Sequence, residues 1–268
     1  MGDGVRLAFG TLSVLPAGVP GQVDRKVAGR AMILAPLVGL VIGGIAAGVV
    51  AGVSQLRPDA PLLAAVLGVV VLIALSGALH LDGLADMADG LGSRRDRETM
   101  LAIMKKGDVG PFGVATIIAV LLIDVAALTA CVSAGLGWQA ILVAAVASRL
   151  TLPWACRTGV PSARPDGLGA MVAATVRPLY AALATLAVLV AAVGLVVISA
   201  PTLSYEQKLS EPEALGLVAG GGVLVAVGAG LLVVRRARRA FGGITGDVLG
   251  AGVEAGFAVC LIVIALSL

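Results

Sequence analysis

Apolar stretches long enough to cross a hydrocarbon layer of about 30 Å, at about 1.5 Å per residue, recur seven times along this chain. They run approximately 31–56, 61–80, 111–134, 138–155, 178–200, 215–234 and 248–267. None alternates with period two, so the pattern argues against strands and predicts membrane-spanning helices. The fourth stretch is short and interrupted by Arg149 and Pro153, which makes it the weakest of the seven. The expected fold class is all-α: a polytopic transmembrane helical bundle of about seven spans, forming a single integral membrane domain over residues 1–268.

The segments between these stretches sort by charge. With alternating sides, residues 1–30, 81–110, 156–177 and 235–247 together hold 16 Lys/Arg, the opposite side holds 2, and Arg149 stays within a span. The positive-inside rule then puts the N-terminus in the cytoplasm and the C-terminus outside. Composition agrees with a membrane protein: 59% of residues are hydrophobic and only 13% charged, against about 25% charged in soluble domains. The 37 glycines suit closely packed spans. No cleavable signal pattern is expected, since the first thirty residues lack an apolar core followed by a small-residue cleavage site. Cys131, Cys156 and Cys260 are scattered through apolar sequence without pair spacing and read as core residues. Trp138 and Tyr180, near predicted span ends, read as interfacial anchors. The basic run Arg235-Arg236-Ala237-Arg238-Arg239 reads as a topology signal in contact with anionic lipid, so the lipid bilayer is the expected partner and nucleic acid is not.

Chemistry concentrates where the chain leaves the second stretch. In His80-Leu81-Asp82-Gly83-Leu84-Ala85-Asp86-Met87-Ala88-Asp89-Gly90 the aspartates sit at i, i+4 and i+7. On a helix these share a stripe roughly 60° wide. Like charges so arranged repel and call for a cation, most simply Mg²⁺ holding a phosphorylated substrate. A second acidic element on the same predicted face, Gly242-Gly243-Ile244-Thr245-Gly246-Asp247, leads into the last stretch and on to Glu254. Asp247 and Glu254 are seven apart and nearly on one helical face, and glycines such as Gly243 and Gly246 offer close backbone approach and N–H groups to phosphate. A carboxylate at Glu254, inside the span, needs a partner, a metal or a wet cavity. The competing reading is solvated acids or helix caps, with Asp82 or Asp86 as the cap. His80, the one histidine, is either a substrate contact or a structural residue. Arg94 and Lys105, among the basic residues following the stripe, are candidate phosphate clamps. Asp124 stands alone in the third stretch, with Arg149 as its expected partner across helices.

His80-Leu81-Asp82-Gly83-Leu84-Ala85-Asp86, Asp89-Gly90, Met104-Lys105, Phe112-Gly113 and Gly242-Gly243-Ile244-Thr245-Gly246-Asp247 with Glu254 resemble the cobalamin synthase family, the adenosylcobinamide-GDP ribazoletransferases. Weaker matches fall at Pro36-Leu37-Val38-Gly39, Ser148-Arg149 and Gly167-Leu168-Gly169. Two departures stand out. Family members often carry Lys-Asp-Ser-Arg-Ile-Gly where this chain has Lys105-Lys106-Gly107-Asp108-Val109-Gly110, and the usual arginine is missing from Thr11-Leu12-Ser13-Val14-Leu15-Pro16. The resemblance implies a Mg²⁺-dependent enzyme of cobalamin nucleotide-loop assembly at the cell membrane, its active site facing the cytoplasm. It would join adenosylcobinamide-GDP to α-ribazole, or its 5′-phosphate, with release of GMP. On that basis Asp82, Asp86, Asp89 and Asp247 are expected metal ligands, and Glu254 a catalytic group that orients a ligand or accepts the hydroxyl proton. His80, Arg94, Lys105, Arg149, Gly243 and Gly246 are expected substrate contacts. A broad cavity for the corrinoid is implied, and homo-oligomerisation stays open.

Two rivals are weaker. A CDP-alcohol phosphotransferase-like enzyme fails at its defining Ala-Arg, because Ala85 is followed by Asp86. A membrane transporter lacks support from any internal repeat, and the carboxylates gather at one face instead of the midplane.

Overall fold

The computed structural model describes residues 2–199 and 212–268; Lys208 and the rest of the 200–211 segment lie outside the described residues. Among those described are thirteen helices, two isolated β-bridges and no strand. The first six are α1 (Asp3–Leu12), α2 (Arg25–Ile33), α3 (Ala35–Leu56), α4 (Pro61–Ser76), α5 (Leu79–Gly92) and α6 (Arg97–Ile103). Then come α7 (Pro111–Ser133), α8 (Gly137–Arg149), α9 (Thr151–Ala155) and α10 (Gly167–Val172). The last three are α11 (Pro178–Ser199), α12 (Pro212–Phe241) and α13 (Gly246–Leu266).

Within the described residues all seven apolar stretches are largely helical, but they do not give seven helices of crossing length. Five are long and apolar enough alone, namely α3, α7, α11, α12 and α13, and a sixth candidate is the bent pair α4 and α5. The protein is thus a multi-pass helical bundle with five or six candidate crossings. Both shortfalls have local causes. The 61–80 run breaks at Gly77 and Ala78, which take left-handed φ of 61° and 57° and turn α5 by 87° from α4. Gly77 does this without steric cost, and the Ala78 N–H donates back to the Ile73 carbonyl at 2.9 Å, as in a Schellman cap. The 138–155 run breaks because Pro153 has no N–H for the Arg149 carbonyl and its ring crowds that oxygen, so α8 ends at Arg149.

The last helix, α13, is the hub, packed against α5, α7, α8 and α12. In its apolar stretch 67% of residues are buried, against 17% in α11, which is therefore exposed along most of its length. The three cysteines are buried and unbonded, as core residues should be.

Candidate active site

The site is built where α5, lying across the end of the bundle, meets the first turns of α13. Two glycines let the helices touch backbone to backbone. A methyl on Gly83 would stand 2.8 Å from the Asp247 carbonyl oxygen and 2.9 Å from its Cα; one on Gly250 would stand 3.1 Å from the His80 carbonyl. This contact brings the two acidic motifs of the sequence to a common cavity of about 280 Å³, lined by Asp82, Asp247, His80 and Gly246.

The third wall comes from the 156–177 loop. Ile244 N–H donates to the Pro161 carbonyl and Ala163 N–H to the Ile244 carbonyl, both at 2.9 Å. This bridge needs Gly243 bare, since a Cβ there would collide with the Pro161 carbonyl oxygen. Gly243 is thus a packing residue and does not line the cavity. The loop so pinned carries Arg164 and Asp166 into the cavity wall. Arg164 Nη2 donates to the Leu101 carbonyl at 2.8 Å, while its Nη1 stands 3.9 Å from the Asp247 carboxylate. The Thr245 hydroxyl caps α13 by accepting from Val248 N–H, and donates to Asp247 at 3.1 Å.

The acidic stripe divides its labour. Asp82 faces the cavity, and Asp86 sits half-buried beside it. Burial first, then the charges of Asp247, Asp82 and Asp89, push the Asp86 carboxyl up to about 6, with Arg164 opposing. Asp89 is committed elsewhere: its two oxygens accept from Gly110 N–H at 2.7 Å and Gly113 N–H at 2.9 Å, capping the start of α7 from another helix. Among the described residues no three acids, histidines or cysteines stand together around one point suited to a metal ion. The geometry is the reason, since i and i+7 lie about 10 Å apart along a helix.

The other expected contacts scatter. Lys105 is exposed at the rim, 3.5 Å from Asp166, and Arg94 is exposed and does not line the cavity. Arg149 and Glu254 line a different, smaller cavity of about 30 Å³, together with Asp124. There Arg149 Nη1 donates to the Ala145 carbonyl at 2.9 Å and to Ser148 Oγ at 3.2 Å, while its Nε and Asp124 Oδ1 have no protein partner. Arg164, Asp166 and Thr245 were not among the residues singled out from sequence. A faint signal existed in the polar turn Ala163-Arg164-Pro165-Asp166-Gly167.

The family model for cobalamin-5-phosphate synthase matches residues 4–265. The chain belongs to that family. Among the curated relatives of this cobalamin-5-phosphate synthase family member, an adenosylcobinamide-GDP ribazoletransferase of Frankia casuarinae is 44% identical over 98% of this chain and 94% of its own length. One from Nocardioides sp. is 40% identical over 98% of both chains. A third, from Corynebacterium efficiens, is 36% identical over 96% of this chain and 89% of its own. No solved structure matches.

Proposed function

We propose that this chain is a Mg²⁺-dependent membrane transferase that joins adenosylcobinamide-GDP to α-ribazole, or to its 5′-phosphate, and releases GMP. The observation that carries the reading is the meeting of Asp82 and Asp247, from two distant acidic motifs, in one cavity with Arg164. The relatives named above carry this activity in their names and match over nearly the whole chain.

The donor set fits a hard dication. Asp82, Asp86 and Asp247 are oxygen ligands whose mutual repulsion Arg164 only partly offsets. Mg²⁺ commonly takes one or two carboxylates and completes its sphere with water and substrate phosphates, so the lack of a ready-made three-acid cage is consistent with this ion. Bound there, the ion supplies charge neutralisation on the pyrophosphate oxygens.

The rest falls to the chain's own residues. Arg164 offers a fixed cation to the departing phosphate, and the start of α13 presents N–H groups and its positive dipole end. A ribose hydroxyl attacks the phosphorus bearing the cobinamide arm, a P–O ester bond forms, the anhydride bond to GMP breaks, and a cavity carboxylate takes the hydroxyl proton. Glu254 lines another cavity and is given no direct part in that transfer. A cavity of about 280 Å³ admits the reacting phosphates and a ribose but not a corrin ring, so in this reading the corrinoid stays outside its mouth. The positive-inside bias supports a cavity open to the cytoplasm. It is built from one chain, and the reading requires no second copy.

The test is GMP release by purified protein in detergent given both substrates. Turnover should need Mg²⁺ and fall at least a hundredfold in Asp82→Asn and Asp247→Asn, both still folded. Full activity in both variants would overturn the assignment, and activity in chelator would overturn the ion.

A further inference from the structure

A second positively charged site, sharing no lining residue with the candidate catalytic cavity, lies at the C-terminal end of α12. Leu231, Val234, Arg235, Arg238 and Arg239 form one stripe of that helix at helical spacing. Arg157 joins them from a separate segment, and together the six residues line an open groove of about 570 Å³. Arg157 is held in place: its Nη1 donates to the Trp154 carbonyl at 2.6 Å, and Thr158 N–H beside it donates to the Val176 carbonyl at 2.8 Å. No acid lines the groove, and among the described residues none of its four arginines forms an ion pair. Arg157 is pressed below its ordinary pKa by burial and by the charge of Arg238. Four cations gathered without an anion signal a missing negative partner.

The floor says what kind. Leu231 and Val234 are apolar, and Leu232, next to Leu231 on the helix, is 65% exposed. With 30 residues α12 is about 45 Å long, against a hydrocarbon layer of about 30 Å, so its arginine-bearing end emerges at the membrane surface. A soluble phosphate needs no greasy floor at that depth; a lipid does.

We infer that this groove binds the phosphate headgroup of an anionic phospholipid, with its acyl chains leaving along α12. Only a few residues separate Arg239 from the Gly242–Thr245 turn that places Asp247. An occupied groove therefore braces the helix end that positions the candidate active site. Only that last link rests on the proposed function; lipid binding itself does not.

The experiment compares phosphatidylglycerol with phosphatidylcholine, added to the purified full-length protein, by native mass spectrometry and thermal unfolding. Phosphatidylglycerol should be retained and should raise the unfolding midpoint; phosphatidylcholine should do neither. Arg157→Gln with Arg238→Gln should weaken retention about 20-fold or more, at roughly fivefold per cation. Arg236→Gln removes a neighbouring charge that does not line the groove and should change retention little. If the double variant folds poorly, Arg238→Gln alone carries the comparison. Equal losses in Arg236→Gln and Arg238→Gln would overturn the site in favour of diffuse attraction. A midpoint rise reproduced by inorganic phosphate would overturn the lipid assignment. Neither readout depends on turnover.

Discussion

The closeness of α5 to α13 makes Gly83→Ala the most telling single change. A methyl at this position meets the Asp247 carbonyl oxygen at 2.8 Å, its Cα at 2.9 Å and its carbonyl carbon at 3.2 Å. Carbon contacts settle near 3.5–4.0 Å, so the helices must part by about 0.5 Å, and backbone cannot swing aside as a side chain would. Overpacking of this kind costs about 1–3 kcal/mol, offset by up to about 1 kcal/mol from better helix propensity. Net destabilisation is therefore modest. The catalytic effect is larger: about 1 Å of misplacement costs roughly a hundredfold, so half that displacement between Asp82 and Asp247 should cost about tenfold. Gly250→Ala, with nearest contacts of 3.1 and 3.2 Å, should be milder, and Gly228→Ala on α12, with nothing within 4 Å, should be silent. The assay is initial GMP release at saturating substrates, corrected for folded protein by thermal unfolding. If Gly83→Ala turns over like Gly228→Ala, the two acidic motifs do not act across this contact.

Three other outcomes follow from the same geometry. Asp89→Ala should unfold more easily by about 1–2 kcal/mol, since it strips the cap of α7, and its activity should track its folded fraction; a fully folded but dead variant would restore Asp89 to the metal. The Asp86 carboxyl, raised to about 6, binds its proton more tightly in the folded state than in the unfolded chain. The metal-free midpoint should therefore rise as pH drops from about 7 to about 5, with a shallower rise in Asp86→Asn over that range; a wild-type midpoint that falls would contradict the crowding of carboxylates. Glu254→Gln should loosen the fold, by removing a negative charge beside buried Arg149, yet keep turnover per folded molecule within a few-fold. Wild-type stability with lost turnover would return Glu254 to catalysis.

Helix positions were legible because the apolar runs are long and uninterrupted, and burial in lipid leaves the backbone no alternative. Breaks inside the runs were not. Gly77 is a recognisable stop, but Ala78 ordinarily extends a helix, and only the 87° turn shows that it does not here. Hydropathy sums along 61–80 are blind to two residues at positive φ. Pro153 was visible, and the interruption it caused at Arg149 lies where the ring geometry demands.

For the site, helical periodicity reports which face a residue shares and says nothing of depth. Asp247 and Glu254 do share a face, but seven residues carry Glu254 about 10 Å further along α13, out of the cavity that Asp247 lines and into the smaller one lined by Arg149 and Asp124. The same arithmetic separates Asp82 from Asp89, whose oxygens accept from two backbone N–H groups at the start of α7. Arg164 escaped notice for the opposite reason: it comes from a loop with no periodicity, and reaches Asp247 only because Ser162 pairs with Ile244 across 82 residues of sequence. The depth difference carries physical meaning. At the rim, water and phosphate oxygens share the cost of gathering carboxylates, so charge there is available to a substrate. Two turns deeper, a carboxylate needs a cation or a polar cavity of its own chain, and Glu254 shares its cavity with Arg149 and Asp124.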